Sequence, residues 1–539
     1  MENVWHETYS YEFHAEWSFI VRNSRLLSKK AVLYCLIALY IAVNLIYLTR
    51  YPFVHSDEPW LSGLSRNILE KGDYSVTEAF FDLKERHPHA IKIVFHTIQI
   101  IFIKLMGYSI FTFRFISLVF GLLTLFFMYR LGNEIFKAPG IALTAAALLA
   151  VDAQFMYAAH FARQEIIILF LFVLGLWYKI TNSEAHSYKN DMILGCIIGL
   201  SIGIHPNSFI ISLPFGLIYL YEILFLKERS FKSLAVLIAT VAGFAAVFVS
   251  LSLYFDPRFI SNYSNFGSEF DVFDPIHSKL GQIKYFYLKL FYRVSGTYYT
   301  PDIRLQFFLF GTVLIVSVFK LLRNKNNLSA ERNIVFILLA IAAVNAGIII
   351  IGRFNQTSIV FVFPLFYILV LYMLEGLAPK PRNAIAAVLI TALTVSSALN
   401  YAEYKDNSYK AYLAEISKEV KPWNETLGNL NTEYYFENGK LHDYRNLAFL
   451  RSKGMSFEEY IRDNKIEYII YSEELDLIHE LRPKWDGIYG PIDWYEEMRS
   501  FIENNCELKH EFTDSYYGIR IVRYIGLKDW KIKIYRVVY

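Results

Sequence analysis

The chain has 539 residues, of which 55% are hydrophobic and only 19% charged, whereas a soluble protein of this length carries nearer a quarter charged residues. The formal net charge of +3 gives no indication of nucleic-acid binding, because the basic residues concentrate in short loops between apolar runs. The three cysteines show no disulfide or metal-binding pattern, and repeated apolar runs of about 20 residues predict a polytopic α-helical membrane protein.

The first predicted membrane span runs from Ala31 to Thr49. Basic residues precede it, and positively charged flanks of membrane helices stay in the cytoplasm. We therefore expect a cytoplasmic N-terminus and a first outer loop, residues 50–112, that begins outside the membrane.

Two adjacent acids, Asp57 and Glu58, lie early in this loop in the stretch "HSDEPW". Pro59 follows them, and apolar residues recur at helical spacing until Gly72, which predicts a helix that ends near Lys71. Ionised carboxylates are favoured at a helix N-terminus and can accept a proton from an incoming nucleophile. The alternative is that the pair only caps the helix.

The next apolar segment, residues 91–106, is short and carries polar residues. Lys92, His96 and Gln99 are spaced by four and three residues, so they share one face of a helix. A polar face on an apolar helix favours a helix that lies in the membrane interface over one that crosses the bilayer.

The remaining apolar segments bring the predicted number of crossings to about eleven. The loops that this count places inside carry most of the loop cations, whereas the short outer turns carry Arg163 and Arg353. The further predicted spans are 113–131, 139–158, 164–180, 191–204, 208–226, 233–255, 304–322, 333–352, 357–375 and 383–400.

The count leaves residues 256–303 as a second large outer loop and places residues 401–539 outside. The latter are charged, rich in tyrosine and free of a spanning run, which predicts a small α/β domain after a membrane domain of residues 1–400. Its predicted strands are 466–472, 518–525 and 531–538, and its predicted helices are 409–420 and 456–464.

Two stretches, "HSDEPWLSGLSRNILEKGDY" and "RHPHAIKIVFHTIQIIFIKLMGYSIFTFRFISLVFG", resemble the opening of GT-C membrane glycosyltransferases. The branch that they resemble most contains the protein O-mannosyltransferases and the bacterial aminoarabinose transferases. Gly107, Ser109 and Arg114 match the motif with which that family begins its second span. The specific motifs lie within about residues 50–170, and the topology matches over about residues 1–400.

The resemblance implies transfer of a sugar, with inversion, from a polyprenyl-phosphate carrier to an acceptor on the non-cytoplasmic side of the cell membrane. Asp57 matches the acid proposed to activate the acceptor hydroxyl, and Glu58 matches its supporting neighbour. The acceptor stays open between a glycan, a lipid and a protein. No cofactor is firmly implied; a divalent cation stays open, although the acids of residues 256–274 form no tight metal-ligand cluster.

Relatives place a lysine before a proline near the lipid phosphate, where this chain has "RHPHAIK". Arg86, His87 and Lys92 are therefore candidates for phosphate binding. Arg353 is another, because a planar guanidinium can hold a phosphate by paired hydrogen bonds. The alternative for Arg353 is an arginine that anchors a helix at the interface.

Further candidates lie in the outer turns. Glu165 matches an acid that lines the active cavity in relatives, and Arg163 lies on the same side; the alternative is a charge pair that merely ends a helix. His205 beside Pro206 is either structural or part of the site. The second outer loop adds three unranked candidates, His277, Arg293 and Tyr298.

Two other functional classes compete with sugar transfer. A transporter or flippase of lipid-linked glycans would place ionisable residues near the bilayer midplane, often in repeated halves, whereas the charges here lie at the outer boundary. A polysaccharide ligase or polymerase would carry its large outer loop late among the spans, whereas the main loop of this chain comes first.

Overall fold

The computed structural model describes residues 31–184, 187–268, 272–294, 296–323, 331–352, 354–520 and 529–539. These residues form a helical membrane region followed by a smaller domain with one sheet, so the predicted fold class is confirmed. The helices of the membrane region are α1 (Ala31–Tyr47), α2 (Asp57–Lys71), α3 (Ile93–Met106), α4 (Ile110–Phe136), α5 (Pro139–Ala150), α6 (Ala153–His160), α7 (Glu165–Thr181), α8 (Tyr188–Ile202), α9 (Phe209–Tyr221), α10 (Phe231–Phe255), α11 (Phe259–Ser268), α12 (Ile276–Phe291), α13 (Arg304–Arg323), α14 (Arg332–Ile351), α15 (Phe363–Glu375) and α16 (Pro379–Ala402).

Seven helices of the described chain are long and apolar enough to cross a membrane, and the pair α5 and α6, bent by 65°, makes up to eight. The other predicted spans coincide with α1, α7 and α8, which have 17, 17 and 15 residues. A helix of 15 residues rises about 22 Å, less than the roughly 30 Å of a bilayer core. The figure of about eleven crossings therefore stays a prediction.

Burial separates central helices from peripheral ones. In the segment Gln356–Glu375, which includes α15, 94% of the most apolar window is buried, compared with 11% for α10. Small residues permit the close contacts, because helices in lipid associate by packing rather than by hydrophobic burial. A Cβ atom on Gly199 of α8 would lie 2.6 Å from the Phe244 ring of α10, so only a glycine lets these helices meet.

The first outer loop contains two helices, α2 and α3. The 14 residues of α3 would span about 21 Å, which is too short for a crossing. Its predicted polar face packs on α2, where the Ser65 hydroxyl donates to Gln99 at 2.6 Å and lies 2.8 Å from His96 Nδ1. Ile101 and Leu105 stay exposed on α3, which supports the predicted interfacial position.

The C-terminal residues form a five-stranded sheet in the order β2-β1-β3-β5-β4. Strands β1, β2 and β3 are parallel, and β5 runs antiparallel between β3 and β4. Two predicted strands correspond to β3 and β5, whereas residues 521–525 of the third, predicted for 518–525, lie outside the described residues. The elements are α17 (Tyr409–Ser417), β1 (Thr426–Gly428), β2 (Leu441–Asp443), α18 (Leu450–Lys453), α19 (Phe457–Asp463), β3 (Tyr468–Ser472), α20 (Glu473–Asp476), α21 (Tyr495–Asn505), β4 (Cys506–Asp514) and β5 (Trp530–Val537).

The sheet domain packs on the first outer loop. The carbonyl oxygen of Phe80 accepts hydrogen bonds from the Asp443 N–H at 3.3 Å and from the Asn446 side chain at 2.9 Å. Arg66 of α2 forms a buried ion pair with Glu433. These contacts place the N-terminus of α2 between the membrane helices and the sheet domain.

Candidate active site

Asp57 and Glu58 form the first turn of α2, as the sequence predicts, and Gly72 ends the helix with a φ of 66°. The side chain of the N-cap residue Ser56 makes no capping hydrogen bond. The Nδ1 of His55 accepts the N–H of Asp57, the first residue of the helix, at 3.0 Å, whereas Glu58 Oε2 accepts the N–H of His55, which precedes the helix, at 3.0 Å. The carboxylate of Asp57 is directed to Arg163 and Tyr298.

Glu58 is fully buried against Arg114 of α4. The Arg114 Nε and Nη2 donate to Glu58 Oε1 and Oε2, each at 2.8 Å, and the Ala162 N–H donates to Oε1 at 3.0 Å. Arg114 also donates to the carbonyl oxygens of Leu48 and Pro52 at 3.0 and 2.9 Å. Glu58 thus has both oxygens occupied by protein donors, and the Glu58–Arg114 pair connects α2 and α4 with the segment that follows α1.

Asp57 has the opposite surroundings, since its side chain is 22% exposed. Its Oδ2 accepts hydrogen bonds from the Arg163 guanidinium and from the Tyr298 hydroxyl. Arg163 is held in turn by Glu165, with 2.9 Å between Arg163 Nη2 and Glu165 Oε1, and the Thr357 hydroxyl donates to Glu165 at 2.7 Å. The structure thereby brings two of the predicted supporting residues to Asp57.

His55 covers one side of this network. Its ring stacks on Tyr298 with 4.3 Å between centroids, and its Nδ1 accepts the backbone N–H of Asp57 at 3.0 Å. Burial lowers the pKa of His55 to about 4, so the ring is neutral at pH 7. Burial raises the pKa of Asp57, but His55, the Arg163 guanidinium and the Tyr298 hydroxyl outweigh it and hold that pKa well below its usual range.

An ionised, partly exposed carboxylate with one oxygen fixed by Arg163 is arranged to accept a proton from a bound hydroxyl. The N-terminus of α2 adds a favourable dipole for this charge. Both the guanidinium of Arg163 and the phenol of Tyr298 donate to the same oxygen, Oδ2, and so orient the carboxylate of Asp57. Its chemistry depends on what binds in front of it.

Arg86, predicted to bind phosphate, is paired with an acid. Its Nε and Nη2 donate to Glu78 at 2.9 and 2.8 Å, and its guanidinium lies 5.2 Å from the Trp60 ring centroid. Burial raises the pKa of Glu78, but Arg86 and the Trp60 N–H outweigh it and lower that pKa to about 2. The charge of Arg86 is therefore balanced by a permanently ionised neighbour.

The other predicted phosphate-binding residues are placed differently. His87 lies 3.9 Å from Glu85, and Lys92 ends the short 3-10 helix Ala90–Lys92 that precedes α3. Arg353 lies outside the described residues. A role in phosphate binding stays a prediction for these three residues and for Arg86.

His205 caps a short 3-10 helix, because its Nδ1 accepts the N–H of Asn207 at 3.0 Å. Nearby, the carbonyl oxygen of Gly203 accepts the N–H groups of Val94 and Phe95 at 3.0 and 3.2 Å, which holds the start of α3. The structure thus places His205 in the turn that supports α3, and its part in the site stays a prediction.

The second outer loop contributes Tyr298 to the site. Of the other two candidates, Arg293 forms two hydrogen bonds of 2.8 Å with Glu403, and His277 is exposed. The sequence named Tyr298 without a reason to prefer it. Its 241-residue separation from Asp57 leaves no local pattern that would reveal the contact.

Two cations from the sheet domain also reach this region and escaped the sequence analysis. Arg520 Nη2 lies 3.5 Å from Ser56 Oγ, and the Arg445 guanidinium lies 4.6 Å from the Trp60 ring centroid. No motif marks them, because their position depends on how the domain packs. In the part of the chain that the structure describes, no three His, Cys, Asp or Glu side chains group as metal ligands.

Residues 86–254 match the family described as dolichyl-phosphate-mannose-protein mannosyltransferase. No curated protein sequence matches the chain. The sequence match begins at Arg86, so it covers α4, Arg163 and Glu165 but stops short of Asp57.

Solved structures extend the likeness to most of the chain. ArnT from Cupriavidus metallidurans bound to undecaprenyl phosphate has a TM-score of 0.52 at 12% identity, over 94% of this chain and 98% of that chain. The same protein in the apo state has a TM-score of 0.52 at 12% identity, over 80% and 94%. The Archaeoglobus fulgidus oligosaccharyltransferase in the apo form has a TM-score of 0.54 at 13% identity, over 93% and 75%.

Proposed function

We propose that this chain is a membrane enzyme that transfers a sugar from a polyprenyl-phosphate donor to an acceptor hydroxyl. The proposal starts from its fold, which is that of the GT-C glycosyltransferase superfamily, of the protein O-mannosyltransferase and ArnT type. The donor class is supported by the similar ArnT, which was solved with undecaprenyl phosphate. The sugar and the acceptor class, whether glycan, lipid or protein, are not part of the proposal.

Asp57 is the general base of the proposed reaction. Its carboxylate takes the proton of the acceptor hydroxyl while that oxygen attacks the anomeric carbon of the donor sugar. The bond between the anomeric carbon and the phosphate oxygen breaks on the opposite face, so the configuration inverts and polyprenyl phosphate leaves. A weakly basic carboxylate suffices, since the hydroxyl proton becomes strongly acidic as the new bond forms.

One observation carries this proposal: two neighbouring acids have opposite environments. Glu58 is enclosed by Arg114, whereas Asp57 is ionised, oriented by Arg163 and Tyr298, and 22% exposed. Glu58 is then a positioning residue and Asp57 the group that meets the acceptor. Arg163 and Glu165 set the direction of the Asp57 carboxylate.

The site is proposed to open on the outer side of the membrane, with the sheet domain on that same side. The basic flank before α1 and the cations of the predicted inner loops support this orientation. Four residues stay in the proposal as contacts of the donor phosphate, whose developing charge cations stabilise: Arg86, His87, Lys92 and Arg353.

The test compares glycans in a strain that lacks the gene and carries the wild-type chain or the Asp57→Asn variant. We expect the wild type to restore a glycan that mass spectrometry finds missing in the deletion strain. The neutral variant should lower transfer by roughly 10²- to 10⁴-fold, because the base is lost without a change of shape.

Asp73→Asn is the matched control, because Asp73 is an acid of the same outer loop that binds Ser75 rather than the network of Asp57. All chains must accumulate equally in the membrane. Restoration of the glycan by Asp57→Asn would refute the proposed role of Asp57.

A further inference from the structure

Three cations surround the ring of Trp60, one turn along α2 from Asp57. The Arg445 guanidinium carbon, the Lys84 Nζ and the Arg86 guanidinium carbon lie 4.6, 5.1 and 5.2 Å from its centroid. Lys84 and Arg86 belong to the first outer loop and Arg445 to the sheet domain. The cluster therefore forms at the contact between the two parts of the chain.

The acids nearby do not balance this charge. Glu78 forms an ion pair with Arg86, and Asp443 accepts a hydrogen bond from the Arg445 Nε at 2.6 Å. The Lys84 ammonium group contacts the rings of Trp60 and Phe81, and within the described residues it has no carboxylate at hydrogen-bond distance. One cation of the three is therefore left without an acid.

Arg445 has an N–H donor that the described residues leave without an acceptor. The residue is only 6% exposed, and in the described part of the chain its Nη2 is buried without a hydrogen-bond partner. Leaving a buried donor of a charged group unsatisfied is costly. A ligand that supplied an acceptor would relieve this cost.

Arg520 brings a fourth cation to the cluster. Its Nε is also buried without a partner among the residues described, and its Nη2 lies 3.5 Å from Ser56 Oγ, next to Asp57 in sequence. Burial, together with Arg445, lowers the pKa of Arg520, and burial with Arg445 and Arg86 lowers the pKa of Lys84 to about 8. Burial is the larger cause of both shifts, and the neighbouring cations add to it although Asp443 acts in the opposite direction.

We propose that Lys84, Arg445 and Arg520 form a subsite for an anionic group of a substrate, a phosphate or a carboxylate, beside Asp57. The planar guanidinium of Arg445 offers an N–H to such a group, and Lys84 adds a mobile ammonium charge. The inference rests on the proposed function, because an anion held here belongs either to the lipid donor or to the acceptor.

The subsite assigns a task to the sheet domain. Two of the three cations come from that domain, and neither lies in the region that matches the mannosyltransferase family. The domain then completes the substrate site that the membrane helices begin, and its docking on the outer loop is a condition for binding.

The experiment measures how fast an amine-reactive reagent modifies Lys84 in the purified full-length protein at pH 8, followed by peptide mass spectrometry. The probes are undecaprenyl phosphate in detergent micelles and inorganic phosphate. We expect bound anion to slow modification of Lys84 at least fivefold, and to leave the exposed Lys453 unchanged as the internal control.

Protection by undecaprenyl phosphate assigns the subsite to the donor. Protection by inorganic phosphate but not by the lipid supports the subsite and assigns it to an anionic acceptor. Absence of protection by either probe overturns the proposal.

Variants give a second measurement. Lys84→Gln and Arg445→Gln should weaken binding of the protecting probe by roughly 10- to 100-fold. Arg451→Gln, which removes an exposed arginine of the same domain, should leave it unchanged. Wild-type affinity in both cluster variants contradicts the subsite, and the wild-type protection assay decides the matter if Arg445→Gln fails to fold.

The two proposals fail separately. If Asp57→Asn abolishes transfer while Lys84 is never protected, only the subsite is refuted. If Lys84 is protected while transfer does not depend on Asp57, the catalytic proposal falls and the anion site stands.

Discussion

Asp57 and Glu58 differ by one carbon and one position, yet their surroundings separate them completely. Glu58 points into the protein and meets a guanidinium on both oxygens, with neither side chain exposed. Asp57 points to Arg163 and Tyr298, and its side chain stays partly exposed. The difference arises because successive positions of a helix lie about 100° apart, so that one face is buried and the next is open.

Replacement of Glu58 by Gln should destabilise the protein rather than only inactivate it. The Arg114 guanidinium would stay buried without its counter-charge, which costs about 3–5 kcal/mol in similar pairs. Thermal unfolding of the detergent-solubilised variant measures this loss.

Glu458→Gln is the control for Glu58→Gln, because Glu458 and Arg462 form an exposed pair with each side chain 49% accessible. Such pairs contribute up to about 1 kcal/mol. Equal melting temperatures for Glu58→Gln and the wild type would contradict the positioning role of Glu58.

Tyr298→Phe should move the acid limb of the pH–activity profile to higher pH. The base works when ionised, so activity is lost as the pH falls through the pKa of Asp57, which lies well below its usual range. The Tyr298 hydroxyl stabilises the ionised form, and its removal raises that pKa. Transfer rates between pH 3 and 7 measure the shift.

Tyr292→Phe, at an exposed tyrosine of the same loop, should reproduce the wild-type profile. His55, with a pKa of about 4, titrates in the same region in all three proteins, so the difference between them isolates Tyr298. A downward shift in Tyr298→Phe is incompatible with the proposed hydrogen bond.

The acids of α2 could be located from the sequence because Pro59 and Gly72 mark the two ends of that helix locally. The partners of Asp57 could not be located in the same way. Arg163 and Tyr298 reach it from positions 106 and 241 residues away, and such contacts depend on how helices pack rather than on spacing. Arg163 was a candidate because of its place in an outer turn, and Tyr298 was one of three unranked candidates that only the fold distinguishes.

At the scale of elements, α2 owes its position to a close contact with the loop that follows it. A Cβ atom on Gly63 would lie 2.6 Å from the Phe80 ring, and the Phe80 carbonyl oxygen is bound by the sheet domain. The ring has no room to move, because Phe80 is 2% exposed and packs edge-on against Phe81 at 4.8 Å.

Gly63→Ala should therefore lower the free energy of unfolding by about 1–3 kcal/mol, the usual cost of overpacking. Gly281→Ala on α12, where no atom lies within 4 Å, should leave it unchanged or raise it by up to about 1 kcal/mol. Thermal unfolding of both variants gives the comparison. An unaltered melting temperature in Gly63→Ala would show that the segment around Phe80 can move to accommodate the added methyl group.

The helices themselves were largely predictable, because apolar periodicity is a local property. The 65° bend between α5 and α6 was not, since residues 139–158 are apolar enough to predict a single span despite Asp152 and Gln154. Asp152 lies at this break, caps α6 and accepts the Tyr367 hydroxyl at 2.7 Å. A helix can break at that point because tertiary partners satisfy the freed groups.

At the scale of the whole molecule, the orientation in the membrane is the prediction that most needs a direct test. Single cysteines at Glu85 and Lys453, placed in a chain whose three native cysteines are replaced by serine, should react with a membrane-impermeant maleimide on intact cells. Both residues are exposed, and the predicted topology puts both outside.

A cysteine at Lys189, at the exposed start of α8, is the counterpart that should react only after the cells are permeabilised. The reverse pattern of labelling would invert the topology and remove the outer site from the proposal.

The division into a helical region and a sheet domain could be predicted from composition, because spanning helices have long apolar runs and the sheet domain has charged residues and short alternating runs. How the two parts meet did not follow. Phe80 lies 366 residues from Asn446 and nearly as far from Asp443, and their contact carries no compositional signature. The cations Arg445 and Arg520 were missed for the same reason.

The guanidinium of Arg114, near the start of α4, binds the chain just after α1 and the first turn of α2. Its two bonds to Glu58 fix the first turn of α2, to which Asp57 also belongs. Substrates must therefore come to the proposed base. Since Arg163 and Tyr298 both donate to Oδ2 of Asp57, an acceptor hydroxyl can approach Oδ1 without displacing either of them.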